Sequence, residues 1–93
     1  MSIRMKAILT VIGKDNVGII AGVSSKLAEL DVNILDVSQT IMDGYFTMMM
    51  VLDLEKASNS FAEIKESLSE KGSALGVQIK IQREEIFTSM HSL

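Results

Sequence analysis

The dipeptide Asp43-Gly44 lies between two runs rich in apolar and β-branched residues, Ile34 to Met42 and Tyr45 to Leu54. A two-residue type I′ turn needs positive φ at both central positions, which aspartate and glycine accept. The two runs therefore predict an antiparallel hairpin whose register follows from the turn. Ile41 then faces Phe46, Gln39 faces Met48, Val37 faces Met50 and Leu35 faces Leu52. All but Gln39 are apolar, so this face is expected to go to the core. The other face pairs Met42 with Tyr45, Thr40 with Thr47, Ser38 with Met49, Asp36 with Val51 and Ile34 with Asp53.

The remaining segments fit around that hairpin. Lys6 to Ile12 alternates, with Ala7, Leu9 and Val11 on one face and Lys6, Ile8, Thr10 and Ile12 on the other, which is the period of a strand. From Ile19 to Leu30 the period becomes helical, with Ile20, Val23, Leu27 and Leu30 as the apolar stripe and Asp15 or Asn16 as a candidate cap. Gly22 inside this helix costs about 1 kcal/mol relative to alanine, which predicts a neighbour packed close against it. Ser60 with Glu63 reads as a capping box, and Phe61, Ile64 and Leu68 give a second helix, expected to stop at Gly72. Val77, Ile79 and Ile81 alternate with polar residues as a fourth strand. Ile86, Phe87, Met90 and Leu93 then recur at helical spacing in the last ten residues.

The order β-α-β-β-α-β interleaves two right-handed crossovers. It predicts an α+β domain of ferredoxin-like βαββαβ type, a four-stranded antiparallel sheet with two helices on one face. Residues 1–83 form this domain, and residues 84–93 a short C-terminal amphipathic tail. The first and third strands should be central, placing Ile8, Ile12, Met49 and Val51 on the sheet face away from the helices. That apolar strip, rimmed by polar residues, predicts a covered surface. Ile8, Met49 and Val51 with Ile86, Phe87 and Met90 of the tail are the expected interface, within one chain or between two.

Composition removes several classes of function. Among 93 residues there is no cysteine and one histidine, so neither a disulfide nor a thiolate metal site can form. No metal or cofactor is expected. His91 lies in the tail, which leaves no Ser/His/Asp set. A net charge of −3 gives no general attraction to nucleic acid or anionic membrane. The longest apolar run, Met48 to Leu52, falls far short of a membrane span, and Met1 to Lys6 lacks the apolar core of a secretory signal. A cytoplasmic domain is expected. Met48-Met49-Met50 alternates between faces and reads as core filler rather than a thioether metal site. RNA readers with this order of elements need stacking aromatics on the central strands, where Thr47 and Met49 stand here.

What remains is the junction Gly13-Lys14-Asp15-Asn16-Val17-Gly18, where a strand runs into a helix. N–H groups at a helix start have no intrahelical partner, and the helix dipole adds partial positive charge, so a carboxylate or small anion is accommodated there. Acylphosphatases of this order of elements use an arginine in the loop, where this chain offers only Lys14. An enzyme is therefore not expected.

The run from Val11 to Ile20, with its Asp15-x-x-Gly18-Ile19 turn, followed by Asp31-Val32-Asn33-Ile34 after one helix, resembles an ACT domain over about residues 4 to 83. The tail Glu84-Glu85-Ile86-Phe87 is similar to that of a stand-alone, single-domain branch, itself similar to the ACT modules of the glycine-cleavage-system repressor. The resemblance implies a regulatory module that binds an amino acid, often between two subunits. It implies that Asp15 faces the ligand's ammonium, and Lys14 and Asn16 beside it are placed to add contacts. Gly18 lets the backbone approach the carboxylate, and Asn33 contacts both groups. Val17 stands where many members carry proline, which leaves the loop less pre-organised. A homodimer, or a complex with another protein, is the expected working form. The alternative is a protein–protein interaction module with no small ligand, in which Asp15 or Asn16 only caps a helix and Asn33 only satisfies a turn.

Overall fold

The computed structural model describes residues 5–14 and 18–84. Six elements follow one another: β1 (Lys6–Lys14), α1 (Ile19–Glu29), β2 (Asn33–Met42), β3 (Tyr45–Asp53), α2 (Phe61–Leu75) and β4 (Gln78–Arg83). The four strands form one sheet in the order β2-β3-β1-β4, with every neighbouring pair antiparallel. This is the expected βαββαβ arrangement, with β1 and β3 central. The core lies under the helices. Ala7, Leu9 and Val11 of β1, Met48, Met50 and Leu52 of β3, Val23 and Leu27 of α1, and Ile64 and Leu68 of α2 are all buried. Met48 and Met50 point inward while Met49 between them is exposed, as the strand period requires.

The Asp43-Gly44 turn has positive φ at both residues, 51° and 81°, and the hairpin keeps the expected register from Met42–Tyr45 back to Asp36–Val51. There the expectation fails. A bulge between Ile34 and Asp36 leaves Leu35 without a partner, so Ile34 faces Leu52 and Asn33 faces Asp53. Leu35 is exposed and Ile34 packs against the core. One extra residue in β2 thus reverses the faces of everything before it. The helix-side face of β2 also stays open further along. Val37, Gln39 and Ile41 are exposed, because α1 touches this edge strand only sparsely and packs mainly on α2.

Both helices differ from expectation at one end. The buried stripe of α1 starts at Ile19, one position before Ile20, because the spacing 19-23-27 keeps to a single face. Its N-cap is Gly18, at φ 89°, rather than Asp15 or Asn16. Gly72 lies inside α2, not after it. An added Cβ there would meet the Val77 carbonyl oxygen and Ile79 Cγ1, each at 3.0 Å, so glycine is needed for close packing on β4. The helix ends instead at Leu75, with Gly76 left-handed at φ 74°. At Gly22 the expected close neighbour is Leu75, whose Cδ1 would sit 3.0 Å from an added Cβ. The Ser60–Glu63 capping box is present, with Glu63 N–H donating to Ser60 Oγ at 3.2 Å and Ser60 N–H donating to Glu63 Oε1 at 2.9 Å.

Candidate functional site

The two residues of the expected site that are described stand at opposite ends of α1. Gly18 precedes the helix and Asn33 opens the strand that follows it. Eleven residues at 1.5 Å each separate them by about 16 Å of helix. β1 and β2 both pair antiparallel to β3 and so run parallel to each other, which puts the end of β1 and the start of β2 at opposite ends of the sheet. Within one chain, Gly18 and Asn33 cannot touch the same amino acid. Asp15 and Asn16 lie outside the described residues, as do Ile86, Phe87 and Met90 of the expected interface. Ile8 of that interface is buried, only 8% exposed, whereas Val51 is half-buried and Met49 is exposed.

At the N-terminal end, α1 begins on a residue without a side chain. Gly22 N–H donates to the Gly18 carbonyl at 2.9 Å, no side chain among the described residues caps the helix, and its first turn carries no acidic residue. The first-turn N–H groups therefore keep the electropositive character of a helix start. Lys14, at the end of β1, lies over the ring of Tyr45, its register partner, with Nζ 5.8 Å from the centroid.

The C-terminal end is built differently. Asp31 N–H donates to the Ala28 carbonyl at 3.1 Å and Val32 N–H to the Leu27 carbonyl at 3.0 Å, which is a Schellman closure with Val32 and Leu27 both buried. Its left-handed position is held by Asp31, at φ 58°, where glycine is usual. The chain then enters β2 at Asn33, opposite Asp53. Leu54 N–H, donating to the Met5 carbonyl at 2.8 Å, ties the end of β3 to the start of β1.

Beside this closure lies an open pocket of about 560 Å³, lined by Asp31, Val32, Asn33, Asp53, Glu55 and Lys56 among others. Such a volume is within the range of small-molecule sites. Asp53 is the one buried charged residue among those described, 8% exposed, and its Oδ1 accepts from Glu55 N–H at 2.9 Å. Among the described residues no three carboxylate or imidazole groups converge closely enough to hold a metal ion. The mixture of carboxylates, one amide and one ammonium suits a small ligand carrying both charges. Of these residues the sequence reading singled out Asn33 alone. Asp53 and Lys56 follow from the hairpin pairing, which brings the end of β3 beside the start of β2, but only once the bulge turns Asn33 to the same face as Asp53.

Comparison with known proteins agrees with this architecture. Residues 6–82 match the model of the ACT domain. A UPF0237 protein of Listeria innocua is 66% identical over 89 residues, covering 96% of this chain and 100% of its own. Relatives of this group are thus about as short as this chain. Among solved structures, an ACT domain protein from Streptococcus pneumoniae is 49% identical with a TM-score of 0.81, over 89% of this chain and 93% of that one. A glycine cleavage system transcriptional repressor structure, at 20% identity and a TM-score of 0.75 over 88% of this chain and 47% of that one, shares the fold. No helix among the described residues is long and apolar enough to cross a membrane.

Proposed function

The chain belongs to the ACT domain family, and from that premise we propose that it is a non-enzymatic, amino-acid-binding regulatory module that works as a homodimer in the cytoplasm. The observation that carries this reading is the division of complementary chemistry between the two ends of α1. A carboxylate is favoured at the Gly18 end, while the Asn33 end offers an amide beside carboxylates. Since one chain holds these halves about 16 Å apart, one ligand meets both only when two chains contribute. Asp15, Asn16 and Gly18 then come from one copy and Asn33 from the other.

The two sheet edges support pairing of copies. β4 is six residues long and carries Lys80 and Arg83, the kind of residues that discourage strand addition. β2 is ten residues long, contains no lysine, arginine or proline, and has one charge, Asp36. Antiparallel pairing of β2 with its two-fold copy sets the Asn33 end of one strand beside the Met42 end of the other, and so towards the partner's first loop. Ligand bound across that seam favours the paired state by population shift.

Calorimetry with the common amino acids at millimolar concentration tests the reading, using wild type, Asp15→Ala and Asn33→Ala. Each variant alone is expected to lose binding. An equimolar mixture regains it, up to one site per two dimeric chains, because mixed dimers hold one intact site. A mixture that regains nothing, from a wild type that binds, overturns the shared site. A second reading, an interaction module without a ligand, draws on the hairpin tip, where Ile41 and Met42 are 77% and 71% exposed. It predicts one stoichiometric protein partner that is lost with Ile41→Glu and no response to amino acids.

A further inference from the structure

We infer that residues 85–93, beyond the described part of the chain, are a helix seated on their own subunit's sheet, across the face that α1 and α2 leave open. Ile8 and Ile12 carry the first part of the argument. Both are isoleucines of β1, each two residues from the middle of the strand. Both point away from the core that Ala7, Leu9 and Val11 enter. Their cross-strand neighbours are similar in bulk, Val51 and Gln82 beside Ile8, Thr47 and Gln78 beside Ile12. Yet Ile8 is 8% exposed and Ile12 41%. The adjoining strands follow the same gradient. On β3 Met49 is exposed and Val51 half-buried, and on β4 Lys80 is exposed and Gln82 half-buried. Cover thus thickens towards the end of the sheet at which the chain leaves β4.

The last residues start at that same end. Arg83 closes β4 opposite Ala7, and Glu84, the next residue, is already helical. Ile86, Phe87, Met90 and Leu93 fall on one side of a continued helix, with Glu85, Thr88 and Ser92 on the other. The length fits as well. A helix rises about 10 Å from Ile86 to Leu93, and the strand spans about 13 Å from Ile8 to Ile12. Turned back from Arg83, the tail sets Ile86 and Phe87 over Ile8 and Val51 and carries Leu93 towards Ile12. An apolar hollow of about 190 Å³, lined by Ile8, Met49 and Val51 with Asp36 and Ser38 at its rim, gives the Phe87 ring a place to enter. The occupant is the same chain because β4 borders β1 directly, so the tail reaches its own strip without crossing the molecule. This assignment stands apart from the amino-acid reading and needs no ligand.

The test uses the full chain, which has no cysteine of its own. Val51→Cys places one thiol under the first turn of the tail, and its alkylation by iodoacetamide is timed with and without Phe87→Asp. The second substitution should raise the rate at least tenfold. Ser67→Cys, half-buried in α2 on the opposite side of the sheet, should react within twofold of its original rate. An unchanged rate at position 51 overturns the cover. An equal rise at both positions means that the tail supports the fold at large, and overturns it too. A second pair on exposed positions serves if Val51→Cys does not fold, and it identifies the subunit. Met49→Cys with Met90→Cys, treated with a short bismaleimide, should join within one chain and run at monomer mass. A link between two chains seats the tail on a second copy and overturns the assignment, as does the absence of any link.

Discussion

The two helices of this domain are close in packing and opposite in how they end. α2 starts at Ser60 with a reciprocal capping box and closes on a left-handed Gly76, with Val77 N–H donating to the Gly72 carbonyl at 2.9 Å. α1 makes the same closure with Asp31 in the glycine position, and starts at Gly18 without a side-chain cap from any described residue. Each departure costs stability, a few tenths of a kcal/mol for glycine in place of a capping side chain and about 1 kcal/mol for a left-handed residue that carries a Cβ. Both departures flank the candidate half-sites. Local rules broken on one helix and kept on its neighbour mark where the chain is shaped for something besides folding.

The largest effect is expected where α2 meets β4. Gly72→Ala gains helix propensity but drives its Cβ against a backbone oxygen that cannot swing away, for a net loss of about 1–2 kcal/mol in urea unfolding. The matching change in α1, Gly22→Ala, meets only the ends of the Leu75 and Lys71 side chains and should stay within about 0.5 kcal/mol of wild type. Equal losses at both would mean that the helices are packed alike.

Next comes Ser60→Ala, which removes half of the capping box and should lower stability by about 1 kcal/mol. Asp31→Gly runs the other way. Relief of the left-handed aspartate, less the added freedom of the unfolded chain, should raise stability by about 0.5 kcal/mol in the same measurement. A loss instead would show that the Asp31 carboxylate itself holds the end of α1, and the contrast between the helices would fail.

The smallest effect concerns pH. The hydrogen bond from the Ser60 backbone N–H, then that from its hydroxyl, holds the Glu63 carboxyl below its ordinary value of 4.5. A lowered folded pKa contributes stability that is present above the ordinary value and lost as pH falls through the folded one. Melting curves between pH 3 and pH 6 should therefore show a slightly steeper acid loss for wild type than for Glu63→Gln, with the two converging at the acid end.

Much of this architecture could be read from residue order because several kinds of signal agreed. Asp43-Gly44 names its turn, the strands alternate away from it, and Ser60 and Glu63 announce their helix. Reading failed where one residue type serves two purposes. Gly72 and Gly76 both look like helix stops, and only the approach of Ile79 and the Val77 carbonyl separates a packing glycine from a terminating one. Ile34 and Leu35 are both apolar, so nothing in the pattern shows which of them faces the core. At the site, helix length alone places Gly18 and Asn33 far apart. Asp53, by contrast, looks like an ordinary strand-end aspartate until the pairing with Asn33 is known.

The unpaired Leu35 carries one more consequence. Upstream of it Ile34 pairs with Leu52 and Asn33 with Asp53, and downstream Asp36 pairs with Val51. Excising Leu35 would therefore join two segments already in step, leaving a regular ladder with every partner unchanged. The position is an extra letter in the ladder that the strand absorbs by bending. A chain one residue shorter here would keep Asn33 opposite Asp53, and its alternation could be followed without error from the turn to the helix.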